Sequence, residues 1–405
     1  MSGKRANGEG SIFPYKGKWA GYVWVTTPSG ERKRAWVYGD TREEVHDKWL
    51  KLHAAAKRGP VVTKSPTLAE YLAYWLAEVV KPGLAPATAA NYGMFVRCYI
   101  VPVLGPRKLD KLTVREVRAW LNGLRETCQC CAQGKDKRRV NPRCCAAGQC
   151  CRQLASERTI RDAWTVLRAA LNNAVREELI SRNVASLIRV PKPRRRKVKP
   201  WSVDEARVFL ESARKSGDPL YAAYVLILVL GLRRGEVLGL RWEDVDFASS
   251  ELTIGWQIQR IDRQLLHRQT KTEASDAVLP LVPICEAALH DRATVHDRDK
   301  AAAGSGWHVS GLVFTTRTGR PVEPRNFNRS FTAACSRAGV RVIPVHATRK
   351  TCASLLVALD VHPRVAMQVL RHSQISVTMN IYSEVSSDAT RRALKRLGKR
   401  LDSRR

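Results

Sequence analysis

The sequence has no apolar run long enough to span a bilayer. The longest, Leu220 to Leu232, falls short of the ~20 residues a membrane helix needs and reads as a buried core helix. The start, Met1-Ser2-Gly3-Lys4-Arg5-Ala6, lacks the apolar core of a signal peptide, and no lipidation motif appears. A cytoplasmic protein with no membrane partner is therefore expected. No P-loop pattern is present, so no nucleotide-driven step is expected. Acid is scarce: 37 Asp and Glu stand against 70 Lys and Arg, a formal net charge of +33. That imbalance asks for a polyanionic partner, with nucleic acid as the default. An anionic membrane surface would attract the same charge, but the basic residues are spread along the chain and no anchoring helix gathers them. Apolar residues make up 44% of the 405, enough for real cores in two or three domains. The eleven Cys should be mostly reduced in the cytoplasm.

The chemistry concentrates near the end of the chain. His346-Ala-Thr-Arg349-Lys350-Thr is followed by Leu370-Arg371-His372-Ser373 and by Asn380-Ile381-Tyr382. Far upstream lies Gly231-Leu232-Arg233-Arg234-Gly235-Glu236. Two Arg, two His and one Tyr suit attack on a phosphodiester. Two guanidiniums can hold both non-bridging phosphate oxygens through forked hydrogen bonds and stabilise the charge that builds there. A histidine moves protons near neutral pH. A phenol, with a solution pKa of ~10, becomes a useful nucleophile beside cations that stabilise its phenolate. His346 and Arg349 are i, i+3 and share a helix face; Leu355, Leu356 and Leu359 follow at helical spacing. Taken alone this pair is equally well an ordinary surface His and Arg.

With these pieces in order, the chain resembles the tyrosine recombinases of the phage-integrase type. Gly231 to Trp242 resembles the family's first catalytic box and puts its Arg at Arg233. His346-x-x-Arg349 resembles the second box, and Leu370-x-His372-Ser373 the third. Tyr382, ten residues after His372, falls where the family keeps its nucleophile. There are two departures. The family usually has Asp-Leu-Arg-His where this chain has Ala347-Thr348-Arg349-Lys350, and Gly before the last His where this chain has Arg371.

The resemblance implies an α+β multidomain fold. Residues 1–58 read as three strands, Ile12 to Tyr15, Trp19 to Thr26 and Lys33 to Tyr38, with turns at Lys16-Gly17-Lys18 and Pro28-Ser29-Gly30. A helix then starts at Thr41 with Glu44 as its capping box. This module resembles the family's arm-type DNA-binding domain. Trp19, Tyr22, Trp24, Trp36 and Tyr38 are groove contacts or core, and core is the expectation for any one of them. Residues 59–66 are a linker. Residues 67–190 read as helices, marked by Leu68 to Val79, Pro86 to Val101, Thr113 with Glu116, and Ile160 to Leu171; they resemble the core-binding clamp. A basic linker, 191–201, suits a strap across phosphates. Ser202 with Glu205 opens a mainly helical catalytic domain, 202–390, with a β-hairpin. There Leu252, Ile254, Trp256 and Ile258 alternate as one strand, and a return strand runs through Val278 to Leu281. The turn lysine between them, Lys271, matches the family's catalytic Lys; Arg268 suits that role poorly because a guanidinium does not readily release its proton.

The clamp is interrupted at 128–151 by seven Cys with basic residues between them. Thiolates so spaced can hold zinc, but adjacent Cys pairs are not the usual C-x-x-C pattern, and a reduced, solvated insertion is the alternative. The tail, 391–405, places Leu394, Leu397 and Leu401 on one helical stripe beside Arg391, Arg392, Lys395, Arg396, Lys399 and Arg400.

The resemblance implies a site-specific DNA integrase, with Tyr382 attacking the scissile phosphate and Arg233 and Arg349 holding it. It implies His346 as proton acceptor, His372 on a non-bridging oxygen, Lys271 as general acid and Glu236 orienting Arg233. It implies double-stranded DNA attachment sites, a homotetramer on paired sites, accessory proteins for excision or bending, and no metal or cofactor in catalysis. The rival readings are a type IB topoisomerase and a DNA-binding protein without catalysis.

Overall fold

The computed structural model describes residues 12–27, 30–59, 61, 65–193, 198–270, 276–371, 374–376 and 379. Lys271, His372, Tyr382, residues 194–197 of the basic linker and the tail 391–405 lie outside the described residues. The chain divides into two compact units, 1–194 and 195–405. No helix among the described residues is long and apolar enough to cross a membrane.

The first unit opens with an antiparallel sheet of β1 (Ile12–Tyr15), β2 (Lys18–Thr26) and β3 (Arg32–Gly39), in that order. Helix α1 (Arg42–Arg58) packs on it, with the Thr41 hydroxyl capping the Glu44 backbone N–H. Val23 and Val25 turn inward against Trp49, whose indole N–H donates to the Tyr22 carbonyl at 3.0 Å. Because strand side chains alternate, Trp24 between those valines points the other way, and its neighbours across the strands share that face. Trp24, Trp36 and Tyr38 are exposed, and Trp19 and Tyr22 half-buried. The expectation of core is thus overturned at Trp24, Trp36 and Tyr38. The β-branched residues fill the narrow gap under the helix and leave the open face to the rings.

The same unit continues as a helical bundle. Helix α2 (Leu68–Tyr74) is capped by a Thr67–Glu70 box and α3 (Pro86–Phe95) starts on proline. Each runs on through a wide π turn, Trp75–Val80 and Val96–Ile100. Pro82 and Pro102 follow those turns. A proline cannot donate to the carbonyl four residues back and its ring collides with it, and the wider turn relieves both. Helices α4 (Val114–Glu126) and α5 (Glu157–Arg176) complete the bundle around Leu68, Tyr71, Ile100, Trp120, Trp164 and Leu171. The polar edges of its aromatics are satisfied: Trp120 donates to the Tyr99 carbonyl at 2.8 Å, Trp164 to Ala185 at 2.9 Å and Tyr71 to Ala170 at 3.0 Å.

The second unit is built on α6 (Val203–Lys215), capped by the Ser202–Glu205 box, and α7 (Tyr221–Val229). Ala222 to Leu228 of α7 are buried without interruption, as the longest apolar run predicts. Trp201, Phe209, Tyr224, Phe327 and Phe331 form one aromatic cluster between helices. After α8 (Arg234–Gly239) come β4 (Val245–Asp246), β5 (Glu251–Ile254), β6 (Trp256–Ile261), β7 (Gln264–Gln269) and β8 (Ala277–Pro280). The stretch 252–258 is not one strand. It splits at Gly255: β5 pairs with β4 and β8, and β6 pairs with β7 as a separate hairpin. The apolar alternation carries across the break, so period alone does not reveal the change of partner. Helices α9 (Pro283–Ala303), α10 (Pro324–Arg337), α11 (Val345–Ala358) and α12 (Pro363–Leu370) follow.

Candidate active site

The described part of the site lies where the start of α8, the first turns of α11 and the end of α12 meet. Between α7 and α8 the chain reverses at Gly231, with φ +61. A Cβ there would sit 2.8 Å from a Leu370 methyl and 3.2 Å from the Cys352 sulfur, so only glycine fits both the angle and the space. A second glycine, Gly239, lets the end of α8 lie directly on β6; a Cβ would come within 2.6 Å of the Gln257 backbone. These two contacts fix α8 and with it Arg233 and Glu236.

Glu236 is the hub. Its carboxylate accepts the Arg233 backbone N–H at 2.8 Å and the Arg233 guanidinium at 2.5 Å. From the other side Arg371 Nη2 donates to it at 2.8 Å. Burial alone pushes this carboxyl up, but Arg371 and Arg233 together outweigh burial and hold it below the usual carboxylate range. Arg349, on α11 and only 5% exposed, donates Nη1 to the Gly231 carbonyl and so ties α11 to the turn that delivers Arg233. Its Nη2 is buried and has no hydrogen-bond partner among the described residues. Burial and the repulsion of Arg233 and Arg371 push the Arg349 pKa down to about 9, so it is still charged at neutral pH. One turn on, the Cys352 thiol donates to the Val229 carbonyl and is pushed up to about 11 by burial, which makes it an inert packing group.

His346 stands one turn before Arg349 with an exposed side chain. Partial desolvation, then Arg349, Arg233 and Lys350, lower its pKa below the ordinary histidine value, so the ring is neutral at pH 7 and able to accept a proton.

Of the sequence-predicted residues, Arg233, Glu236, His346 and Arg349 are brought together; Lys271, His372 and Tyr382 lie outside the described residues. The residue whose role sequence reasoning missed is Arg371. It terminates α12 in the left-handed conformation, φ 50, which explains why glycine is usual there. Its side chain turns inward and is 1% exposed against Glu236. The available signal was a long cation replacing glycine directly before His372, at a position where strain needs compensation. Two buried guanidiniums, Arg349 and Arg371, and the partly exposed Arg233 outnumber one carboxylate and leave a surplus of positive charge. A surplus of that kind, with an unpartnered N–H fork, fits a phosphodiester.

The comparisons with known proteins agree with this chemistry. Residues 202–388 match the phage integrase family, and residues 67–125 match the phage integrase N-terminal SAM-like domain. A XerC-like tyrosine recombinase of Caldanaerobacter subterraneus is 27% identical over 377 residues, covering 88% of this chain and 89% of that one. An integrase of Streptomyces ambofaciens is 25% identical over 400 residues, covering 94% of each. Among solved structures, the Tn1549 transposon integrase in complex with transposon right end DNA superposes with a TM-score of 0.62 at 18% identity, over 82% of this chain and 99% of that one. A lambda integrase dimer bound to a COC′ core site gives 0.51 at 16% identity, over 94% and 96%. The chain belongs to the phage integrase family, the tyrosine recombinases. It is a site-specific DNA recombinase.

Proposed function

We propose that this chain exchanges DNA strands through a 3′-phosphotyrosyl intermediate with the residue roles that follow. The Tyr382 oxygen attacks the scissile phosphorus as His346 takes the phenolic proton. Arg233 and Arg349 hold the non-bridging oxygens, and His372 bonds one of them. The bond from phosphorus to the 5′ oxygen breaks, and Lys271 gives that oxygen its proton. A 5′ hydroxyl from the partner duplex then attacks the phosphotyrosyl link and restores Tyr382. One phosphodiester replaces another, so the exchange balances without an external energy source. Glu236 positions Arg233, and Arg371 positions Glu236.

The observation that carries this reading is the buried, unpartnered Nη2 of Arg349 inside a cluster with more guanidinium than carboxylate. The test is covalent trapping on a nicked suicide substrate. Tyr382→Phe removes only the nucleophilic oxygen, so DNA binding should persist while the adduct disappears. A Tyr382→Phe protein that still recombined would overturn the mechanism.

The domain roles belong to the same proposal. Residues 1–58 bind arm-type DNA, and the face that does so carries Trp24, Trp36 and Tyr38, with Arg34 over the Tyr22 and Trp24 rings at 4.8 and 4.9 Å. Such a cation–aromatic surface suits a nucleic-acid groove. Residues 67–190 clamp the core site, 191–201 strap the backbone, and 202–390 cleave. Four copies assemble on paired attachment sites in the cytoplasm, accessory proteins bias the direction, and the tail 391–405 couples neighbouring subunits. Deleting residues from Arg391 onward should spare binding to one core site at low salt and sharply reduce the four-subunit complex in gel shifts. Equal assembly by the truncated protein would remove the tail from that role.

A further inference from the structure

The insertion between α4 and α5 has no hydrophobic core. Between residues 128 and 154 the buried side chains are Cys128, Gln129, Cys130 and Asp136 alone, while Val140 is 98% and Leu154 49% exposed. A segment of this size without a core needs a cross-link or a metal to hold one conformation. Its fold is nonetheless specific. The neck is closed by Gln129 N–H donating to the Gln153 carbonyl at 2.8 Å and by a forked Arg125–Glu157 pair at 3.0 and 3.2 Å. The buried Asp136 carboxylate accepts the backbone N–H groups of Arg143, Cys144 and Ala146. Gly134 and Gly148, both at positive φ, end two tight turns that carry Cys130-Cys131 and Cys144-Cys145.

The outcome of all this folding is to converge sulfur. Cys128 and Cys145 Sγ are 3.8 Å apart, Cys131 and Cys150 3.8 Å, Cys130 and Cys144 3.9 Å, and Cys145 and Cys151 3.7 Å. A disulfide needs about 2.05 Å, so these are not bonded pairs. Around a zinc ion with bonds of about 2.3 Å, tetrahedral sulfurs lie about 3.8 Å apart. The thiols fall into two sets of four, Cys128, Cys131, Cys145 and Cys150, and Cys130, Cys144, Cys145 and Cys151; within each set every sulfur lies within 4.8 Å of the others. Two tetrahedral ions require eight ligand places. Seven cysteines supply them because Cys145 belongs to both sets.

We propose that the insert holds a binuclear zinc–thiolate centre in which Cys145 bridges the two ions. Each thiol gives up its proton on binding, and the centre is then negative. The insert supplies the balancing charge in Lys135, Lys137, Arg138, Arg139, Arg143 and Arg152. The Cys151 backbone N–H already points at the Cys145 sulfur at 3.5 Å, the kind of bond that stabilises a metal-bound thiolate. The remaining insert-free cysteine of this unit, Cys98, lies in neither set and serves as a control.

The test uses the full-length chain purified under reducing conditions. Elemental analysis should find two zinc ions per chain. Chelator-stripped protein titrated with Co2+ should develop the thiolate charge-transfer and d–d bands of tetrahedral tetrathiolate cobalt, saturating at two equivalents with magnetic coupling between the ions. Cys145→Ala should lower the stoichiometry below two and abolish the coupling, while Cys98→Ala should leave both unchanged. A single ion, iron with acid-labile sulfide, uncoupled cobalt, or metal-free reduced protein whose insert resists protease as well as the native chain would each overturn the proposal.

Discussion

Two clusters of like groups sit in this molecule, and they are held together in opposite ways. The guanidiniums of Arg233, Arg349 and Arg371 gather around Glu236; α8 and the start of α11 rest on a large aromatic and aliphatic core, and α12 on a smaller cluster of Cys352, Ala353 and Leu370. The thiols of the 128–151 insert gather with almost no core beneath them. In the first case the packed elements hold three cations close together around a single carboxylate. In the second, the ligands are the scaffold, and the ion that unites them would also fold the segment. A buried charged site therefore needs either a core that overrides its electrostatics or a counter-ion that becomes its core.

The largest effect that would sharpen this contrast lies on the catalytic side. Lys271→Ala should slow cleavage by roughly 10²–10⁴-fold, the usual range for a lost general acid. A substrate with a 5′-bridging sulfur should restore the rate, because a thiolate leaves without a proton. Equal defects on oxygen and sulfur substrates would move Lys271 to a structural or phosphate-binding role.

Next comes the hub. Glu236→Gln leaves Arg233 and Arg371 without their shared carboxylate, and breaking a buried pair costs about 3–5 kcal/mol. Urea unfolding at pH 7 measures it. Because the folded carboxyl is held below its unfolded value of about 4.3, its stabilisation is fully present above that pH and is lost as pH falls through the folded value. The wild type should therefore lose its advantage over the variant on acidification below about pH 4. A pH-independent difference would mean that packing, not charge, holds Glu236.

Metal removal is the reciprocal experiment. Chelation should open the insert to protease while the unfolding of the 195–405 unit and phosphotyrosine formation persist. Loss of adduct on chelation, with DNA binding intact, would break the separation of the two clusters.

A smaller effect concerns His346. With the His346 pKa depressed by partial desolvation and by Arg349, cleavage should decline only as pH drops below about 6.5, and His346→Ala should flatten that limb. A wild-type limb above pH 7 would exclude His346 as the proton acceptor. Smallest in stability is Trp36→Ala on the open sheet face, expected to change unfolding by no more than about 0.5 kcal/mol. It should still weaken binding to arm-site DNA in a gel shift; unchanged affinity would remove that face from the interface.

The sequence by itself determined much of the frame. The strands read at 12–15, 19–26 and 33–38, each matched to within a residue at its ends, and the caps at Thr41, Thr113 and Ser202 follow from alternation and from side chains that satisfy the first turn of a helix. Arg233, Glu236, His346 and Arg349 were singled out by phosphate chemistry together with the resemblance of their segments to the family's boxes, and the fold brings the four together. Tertiary structure decided what local pattern cannot express. Which face of β2 is buried depends on the helix packed against it, so Val23 and Val25 went in and Trp24 stayed out. Gly255 parts β5 from β6 because their hydrogen-bond partners differ, although the apolar period runs straight through. Arg371 reads as a departure from pattern until the fold brings it to Glu236, 135 residues away in sequence. The spacing of the seven cysteines suggested a metal, but which sulfurs come together depends on backbone bends at Asp136, Gly134 and Gly148 that the adjacent Cys pairs do not reveal.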